Sequence, residues 1–192
     1  MPEYFKAEQQ ILQKLQEYLS ADLLYHSYYH TLDVLNAAML IAEDEKISNE
    51  DISLLRVAIA YHDAGFLEIY KGHELKSCEY ARADLPKWDF STEQIDTICG
   101  IIMATQIPQS PTTQLQKIIA DADLDYLGRE EYFHIAHKLF TELAAHHMIG
   151  EEAEWHTLQQ SFMESHDYFT PFSKQHRNPQ KKINLEKLRG LR

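Results

Sequence analysis

The chain has 192 residues, a length that suits one domain with a sizeable core. Its 44% hydrophobic content excludes a mainly disordered state, and it lacks the apolar run of about 18 residues that a membrane span needs. A net charge of −12 argues against a dedicated nucleic-acid binder, which requires a basic surface to release counterions.

The first ten residues, Met1 to Gln10, carry charges and no apolar centre of the kind a secretory signal has, so the expected location is the cytoplasm. A helical stripe follows at Ile11, Leu12, Leu15, Tyr18 and Leu19. Leu35, Ala38, Met39 and Ala42 form the next. Ile52, Leu55, Ile59 and His62 keep the same spacing, so His62 ends the buried stripe of its helix. Gly65 supplies a helix stop just beyond it. Ser91 with Gln94 resembles a capping box ahead of the stripe Ile95, Ile98 and Ile102. The Pro-bearing segment 107–111 reads as a loop. Leu115, Ile118, Ile119 and Ala122 lead into Asp123. Tyr132, Phe133, Ala136, Phe140 and Leu143 mark a longer helix, and Trp155, Leu158, Phe162 and His166 mark the last of the body.

No alternating run of useful length and no hairpin signal is present, so the expectation is an all-α fold. It consists of one helical domain over 1–170 and a basic C-terminal extension over 171–192. The extension holds Lys174, Arg177, Lys181, Lys182, Lys187, Arg189 and Arg192 against one acid, Glu186. It is expected to dock on the acidic body, or to stay partly mobile, rather than to recruit nucleic acid. Cys78 and Cys99 lie far apart with no C-x-x-C pattern, which reads as reduced, partly buried thiols.

Eleven histidines give the first hint of metal chemistry. Four pieces carry it: Tyr25 to Val34 with His26 and His30, then His62-Asp63, then His73-Glu74, then Asp121 to Asp125. Each sits at the edge of an apolar helical stripe. Imidazole and carboxylate together suit a divalent ion such as Mn, Fe, Co, Ni, Zn or Mg. A single buried histidine is most often a satisfied core residue, and an adjacent His-Asp pair arises often by chance. Four such pieces on the inward faces of successive helices are hard to explain as packing, because a buried aspartate without a cation is costly. His134, His137, His146, His147 and His166 take the ordinary reading: an exposed helical face for the first two, a helix end for the next two, and a packed stripe position for His166.

The order His30, His62-Asp63, Asp123 resembles the H…HD…D signature of the HD superfamily of metal-dependent phosphohydrolases. The stretch Ile-Ile-Ala-Asp-Ala-Asp-Leu over 118–124 looks like that family's last motif. There the Asp of an Ala-Asp step is the ligand, and the step followed by Leu124 is the closer match, which points to Asp123 rather than Asp121. The likeness covers roughly 20–130. It implies one divalent ion held by His30, His62, Asp63 and Asp123. Tyr25 to Val34 also resembles the Tyr-His-Asn-x-x-His-x-x-Asp-Val motif of class I cyclic-nucleotide phosphodiesterases, with Ser27 in place of Asn. That likeness implies His26 as proton donor and His30 as ligand. His73-Glu74 resembles the histidine that some relatives use for a second metal or a metal-held water, although Ala104-Thr105 stands near where their further histidine is expected.

The implied activity is hydrolysis of a phosphate ester on a small phosphorylated, nucleotide-like substrate, with Asp63 and His26 as catalytic residues. There is no partner in nucleic acid or membrane and no separate organic cofactor. If 26–30 is helical, His26 and His30 point the same way, and His26 can protonate the leaving oxygen, an effect of about 10²–10⁴ in rate. Asp33 is placed to orient a ligand. Lys76 and Arg129 are weaker candidates for phosphate contacts, set against an ordinary role as surface charges. The rival readings are a nucleotide-binding regulatory module of the same fold without turnover, and an interaction protein with a closed structural metal site.

Overall fold

In a computed structural model of the protein, which describes residues 2–191, all regular structure is helical, as the periodicity predicts. No helix among the described residues is long and apolar enough to cross a membrane. The chain forms two compact units, one of Met1–Ser20 with His26–Asp123 and one of Ala21–Tyr25 with Leu124–Arg192.

The first unit contains α1 (Tyr4–Tyr18), α2 (Tyr28–Asp44), α3 (Asn49–Tyr61), α4 (His73–Asp84), α5 (Thr92–Met103) and α6 (Gln114–Asp123). Helix α3 is central and packs against the other five. It starts where the Ser48 hydroxyl accepts a hydrogen bond from the Asp51 amide at 3.1 Å. Val57 through Tyr61 are wholly buried, as expected of a helix enclosed on all sides. Burial of a side chain such as Leu55 or Ile59 contributes roughly 1.5–3 kcal/mol. The capping box at α5 is present, with Ser91 and Gln94 bonded reciprocally. The α1 stripe buries Ile11, Leu12 and Leu15 but stops short of Tyr18, which is exposed.

Two glycines shape the segment after α3. Gly65 lies in a 3-10 turn, Ala64–Leu67, and does not act as a left-handed helix stop; among the described residues the glycine with positive φ is Gly72, at the start of α4. What Gly65 provides is room. A Cβ there would lie 2.0 Å from the His73 carbonyl oxygen, so any side chain would push α4 away from the His62-Asp63 step.

The second unit contains α7 (Tyr132–Ala145), α8 (Glu152–Ser165), α9 (Pro171–His176) and α10 (Asn178–Arg189). Tyr25, Tyr132, Trp155, Met163 and Leu188 belong to its core. Leu158, read as part of the α8 stripe, is exposed. The basic extension is mostly helix, and α10 buries Lys181, Asn184 and Leu188. The Asn184 amide donates to the carbonyls of Leu127 and Arg129, and the Lys181 ammonium donates to the His166 carbonyl. Asp125, 1% exposed, receives Arg129 and Arg177, each at 2.6 Å. Arg129 is thereby engaged within this unit by a buried carboxylate.

Candidate metal centre

All the metal-site candidates lie in the first unit. His62 caps the C-terminus of α3 and Asp63 opens the 3-10 turn, so the chain bends between them and both side chains can serve one point. His30 is in the first turn of α2, and Asp123 is the last residue of α6. His30 Nε2 stands 3.0 Å from Asp123 Oδ1 and 3.6 Å from Asp63 Oδ2. His62 Nε2 stands 3.2 Å from Asp63 Oδ2 and 3.7 Å from Asp123 Oδ1. Among the described residues, His30, His62 and Asp123 offer ligand atoms that all lie within 4.8 Å of one another, and Asp63 borders that group.

The ring orientation of His62 is fixed from behind. Its Nδ1 lies 2.7 Å from the Ile59 carbonyl, which has only acceptors, so Nδ1 carries the proton and Nε2 presents a lone pair forward. His73 Nδ1 is held in the same way by the Tyr70 carbonyl at 3.2 Å.

A divalent ion fits this donor set. His62 Nε2 and Asp63 Oδ2 are buried with no hydrogen-bond partner, a condition that costs about 1–3 kcal/mol per atom. Donor separations of 3.0–3.7 Å are those of neighbouring ligands around one ion with bonds of about 2.0–2.2 Å. The charges agree. Burial raises the Asp63 and Asp123 carboxyls, but the surrounding imidazoles outweigh it and hold both well below the usual carboxylate range. Burial lowers His62, yet Asp63 and Asp123 raise it well above an ordinary histidine. The cluster thus sets one buried carboxylate, Asp63, and one half-buried carboxylate, Asp123, where positive charge is favoured.

Around it stands an aromatic group. The Phe66 ring stacks against both His26, at 4.3 Å and 26°, and His73, at 4.0 Å and 22°. His26 lies 6.0 Å from His30, ring to ring. It is not helical, however, since α2 begins only at Tyr28; its position comes from the Phe66 stack rather than from a helical i, i+4 relation. His73 Nε2 lies 3.6 Å from Asp63 Oδ1 and 3.7 Å from Glu74 Oε1. Asp33 is half-buried one turn after His30. Lys76 pairs with Glu68 at 2.8 Å and Glu79 at 3.0 Å, the ordinary role of a surface charge.

Sequence reasoning missed two residues. Phe66 sits three positions after Asp63, and nothing in its spacing marks it. Ser77 is fully buried; its hydroxyl donates to the His62 carbonyl at 2.7 Å and accepts from the Gly65 amide at 2.8 Å. A serine inside a helix with no apolar stripe gives no such signal.

The comparisons with known proteins agree with this architecture. The HD domain family matches residues 27–127, just over half of the chain. The chain belongs to the HD domain family. It is similar in fold to Bacillus subtilis YpgQ solved in complex with ADP, with a TM-score of 0.69 at 19% identity, over 98% of this chain and 94% of that one. A predicted HD superfamily hydrolase from an uncultured Thermotogales bacterium gives 0.63 at 18%, over 98% and 91%. None of the curated proteins matches.

Proposed function

We propose that this protein is a metal-dependent phosphohydrolase whose ion is held by His30, His62, Asp63 and Asp123. The observation that carries this reading is the buried His62 Nε2, oriented from behind by the Ile59 carbonyl and left without a hydrogen bond beside Asp63 Oδ2. When bound, a divalent ion supplies an activated water and a positive contact for a phosphoryl oxygen. The chain's own residues do the rest. Asp63 and Asp123 keep their negative charge beside the ring nitrogens of His30 and His62, and the His62 ring is held in place by the Ile59 carbonyl. His26, half-buried and stacked on Phe66, holds a proton at the rim for the leaving oxygen. His73 and Glu74 stand where a second ion or a water would be gripped. Such a site serves a small phosphorylated substrate. The likeness to a protein solved with ADP puts nucleoside phosphates first in the panel to be tried.

The test is metal analysis of purified protein and of Asp63→Ala, followed by hydrolysis assays. The assays cover nucleoside mono-, di- and triphosphates, cyclic nucleotides and non-nucleotide phosphate esters. Metal in the wild type, none in the variant, and metal-dependent phosphate release are expected. Full metal occupancy in Asp63→Ala overturns the ligand set. No turnover of any ester by metal-replete protein moves the reading to a regulatory module.

A further inference from the structure

Away from the candidate metal centre, two nucleophilic side chains face each other across two helices of the first unit. Cys78 on α4 and Cys99 on α5 are both free thiols and both 5% exposed. Cys78 Sγ lies 3.6 Å from the Cys99 carbonyl, and Cys99 Sγ lies 3.8 Å from the Cys78 carbonyl. Each sulfur reaches the other residue's main chain, so the two side chains lie side by side in the seam between α4 and α5. Sequence distance hid this: the residues are far apart along the chain, and the turn between the helices folds one back on the other.

We propose that Cys78 and Cys99 form a reversible oxidation site, which a hydroperoxide converts into an intramolecular disulfide joining α4 to α5. Two features of the surroundings favour it. Arg82, one turn after Cys78, and Asp96, one turn before Cys99, form an ion pair 2.7 Å long with side chains 52% and 57% exposed, and such an exposed bridge opens at little cost. The thiols are also unequal. A hydrogen bond from Cys78 and the nearby Arg82 charge bring Cys99 down to about 7 against the effect of burial, whereas Cys78 is pushed far up. Cys99 is therefore the more acidic thiol and the first to react, with Cys78 the resolving partner.

The chemistry balances. The Cys99 thiolate attacks the O–O bond of the hydroperoxide, becoming a sulfenic acid, and the alkoxide or hydroxide released takes up a proton. Cys78 sulfur then displaces hydroxide from the Cys99 sulfur and forms the S–S bond. The hydroxide leaves as water with the Cys78 proton. Two thiols have lost two electrons and two hydrogens, and the peroxide has been reduced. Because α4 also carries His73, Glu74 and Ser77, the bond anchors the helix that borders the candidate metal centre.

The test uses the full chain, reduced, freed of reductant and exposed to hydrogen peroxide without denaturant. Remaining thiols are then blocked under denaturing conditions, and the protein is weighed and peptide-mapped. The expected product is a monomer lighter by two hydrogens, with no blockable thiol and one linked peptide pair containing Cys78 and Cys99. Dithiothreitol returns both thiols. Cys78→Ser and Cys99→Ser each form no internal link. Wild-type protein that keeps both thiols, gains only oxygen at cysteine, or links only between two copies of the chain overturns the proposal.

Discussion

Ser77 and His62 are joined by a hydrogen bond of 2.7 Å, from the serine hydroxyl to the backbone carbonyl of the histidine. The same hydroxyl accepts from the Gly65 amide, so one buried oxygen ties α4 to both sides of the His62-Asp63 step. Ser77→Ala leaves a buried carbonyl and a buried amide unpaired, at a cost of about 1–3 kcal/mol. It should lower the melting temperature by roughly 2–4 °C per kcal/mol and weaken metal binding about 10- to 100-fold. Thermal unfolding and metal titration decide it. Unchanged values in both would show that Ser77 does not hold the step.

That bond also marks where the sequence stops being legible. The candidate ligands His62, Asp63 and Asp123 could be read because they follow apolar stripes: Leu55, Ile59 and His62 are buried as their spacing predicts, and Ile118, Ile119 and Ala122 lead to Asp123. Helix α4 could not, because its buried face is Glu74, Ser77, Cys78 and Ala81, small or polar groups that leave no hydrophobic period. Helix α10 was hidden for the same reason, since Lys181 and Asn184 share its inner face with Leu188. The inward turn of His26 depends on a ring stack with Phe66, a contact between residues 40 positions apart that no local pattern encodes.

Two acids only two residues apart should behave in opposite ways. Asp123 faces His30 and His62, whereas Asp125 is 1% exposed and bonded by Arg129 and Arg177. Asp123→Asn should lose metal with little loss of stability. Asp125→Ala strands two half-buried guanidinium groups and should cost about 3–5 kcal/mol, or roughly 6–20 °C in melting temperature. Metal analysis and thermal unfolding of the pair separate the roles. A melting temperature for Asp125→Ala within 2 °C or so of the wild type would refute the structural one.

His166 should make the protein acid-sensitive. It is buried, both ring nitrogens lack a hydrogen-bond partner, and burial followed by the Lys181 charge brings it down to about 4, with Asp167 opposing. The unfolded chain takes up a proton near pH 6.5 and the folded one does not until about pH 4. Stability from this group is therefore fully present above pH 6.5 and is lost as pH falls toward 4, by on the order of 2–3 kcal/mol. Urea unfolding of wild type and His166→Leu at pH 7 and pH 4.5 should show a smaller acid loss in the variant. Parallel losses would remove His166 as the cause.

If His26 gives the proton, as proposed, its ring partner Phe66 allows that role to be isolated. A hydrolase that expels an alkoxide needs an acid, whereas an aryl leaving group departs with little help. His26→Ala should therefore keep its metal and its fold while losing about 10²–10⁴ in turnover on an alkyl phosphate ester. On an activated aryl ester the loss should be much smaller. Phe66→Ala removes the surface against which both His26 and His73 stack, so it should show the same selectivity for alkyl esters in milder form. Phe66→Tyr, which keeps a ring in place, should restore most of it. If His26→Ala slows both esters equally, His26 is not the acid. If only Phe66→Ala slows both equally, the stack supports the fold of the site and not the proton donor.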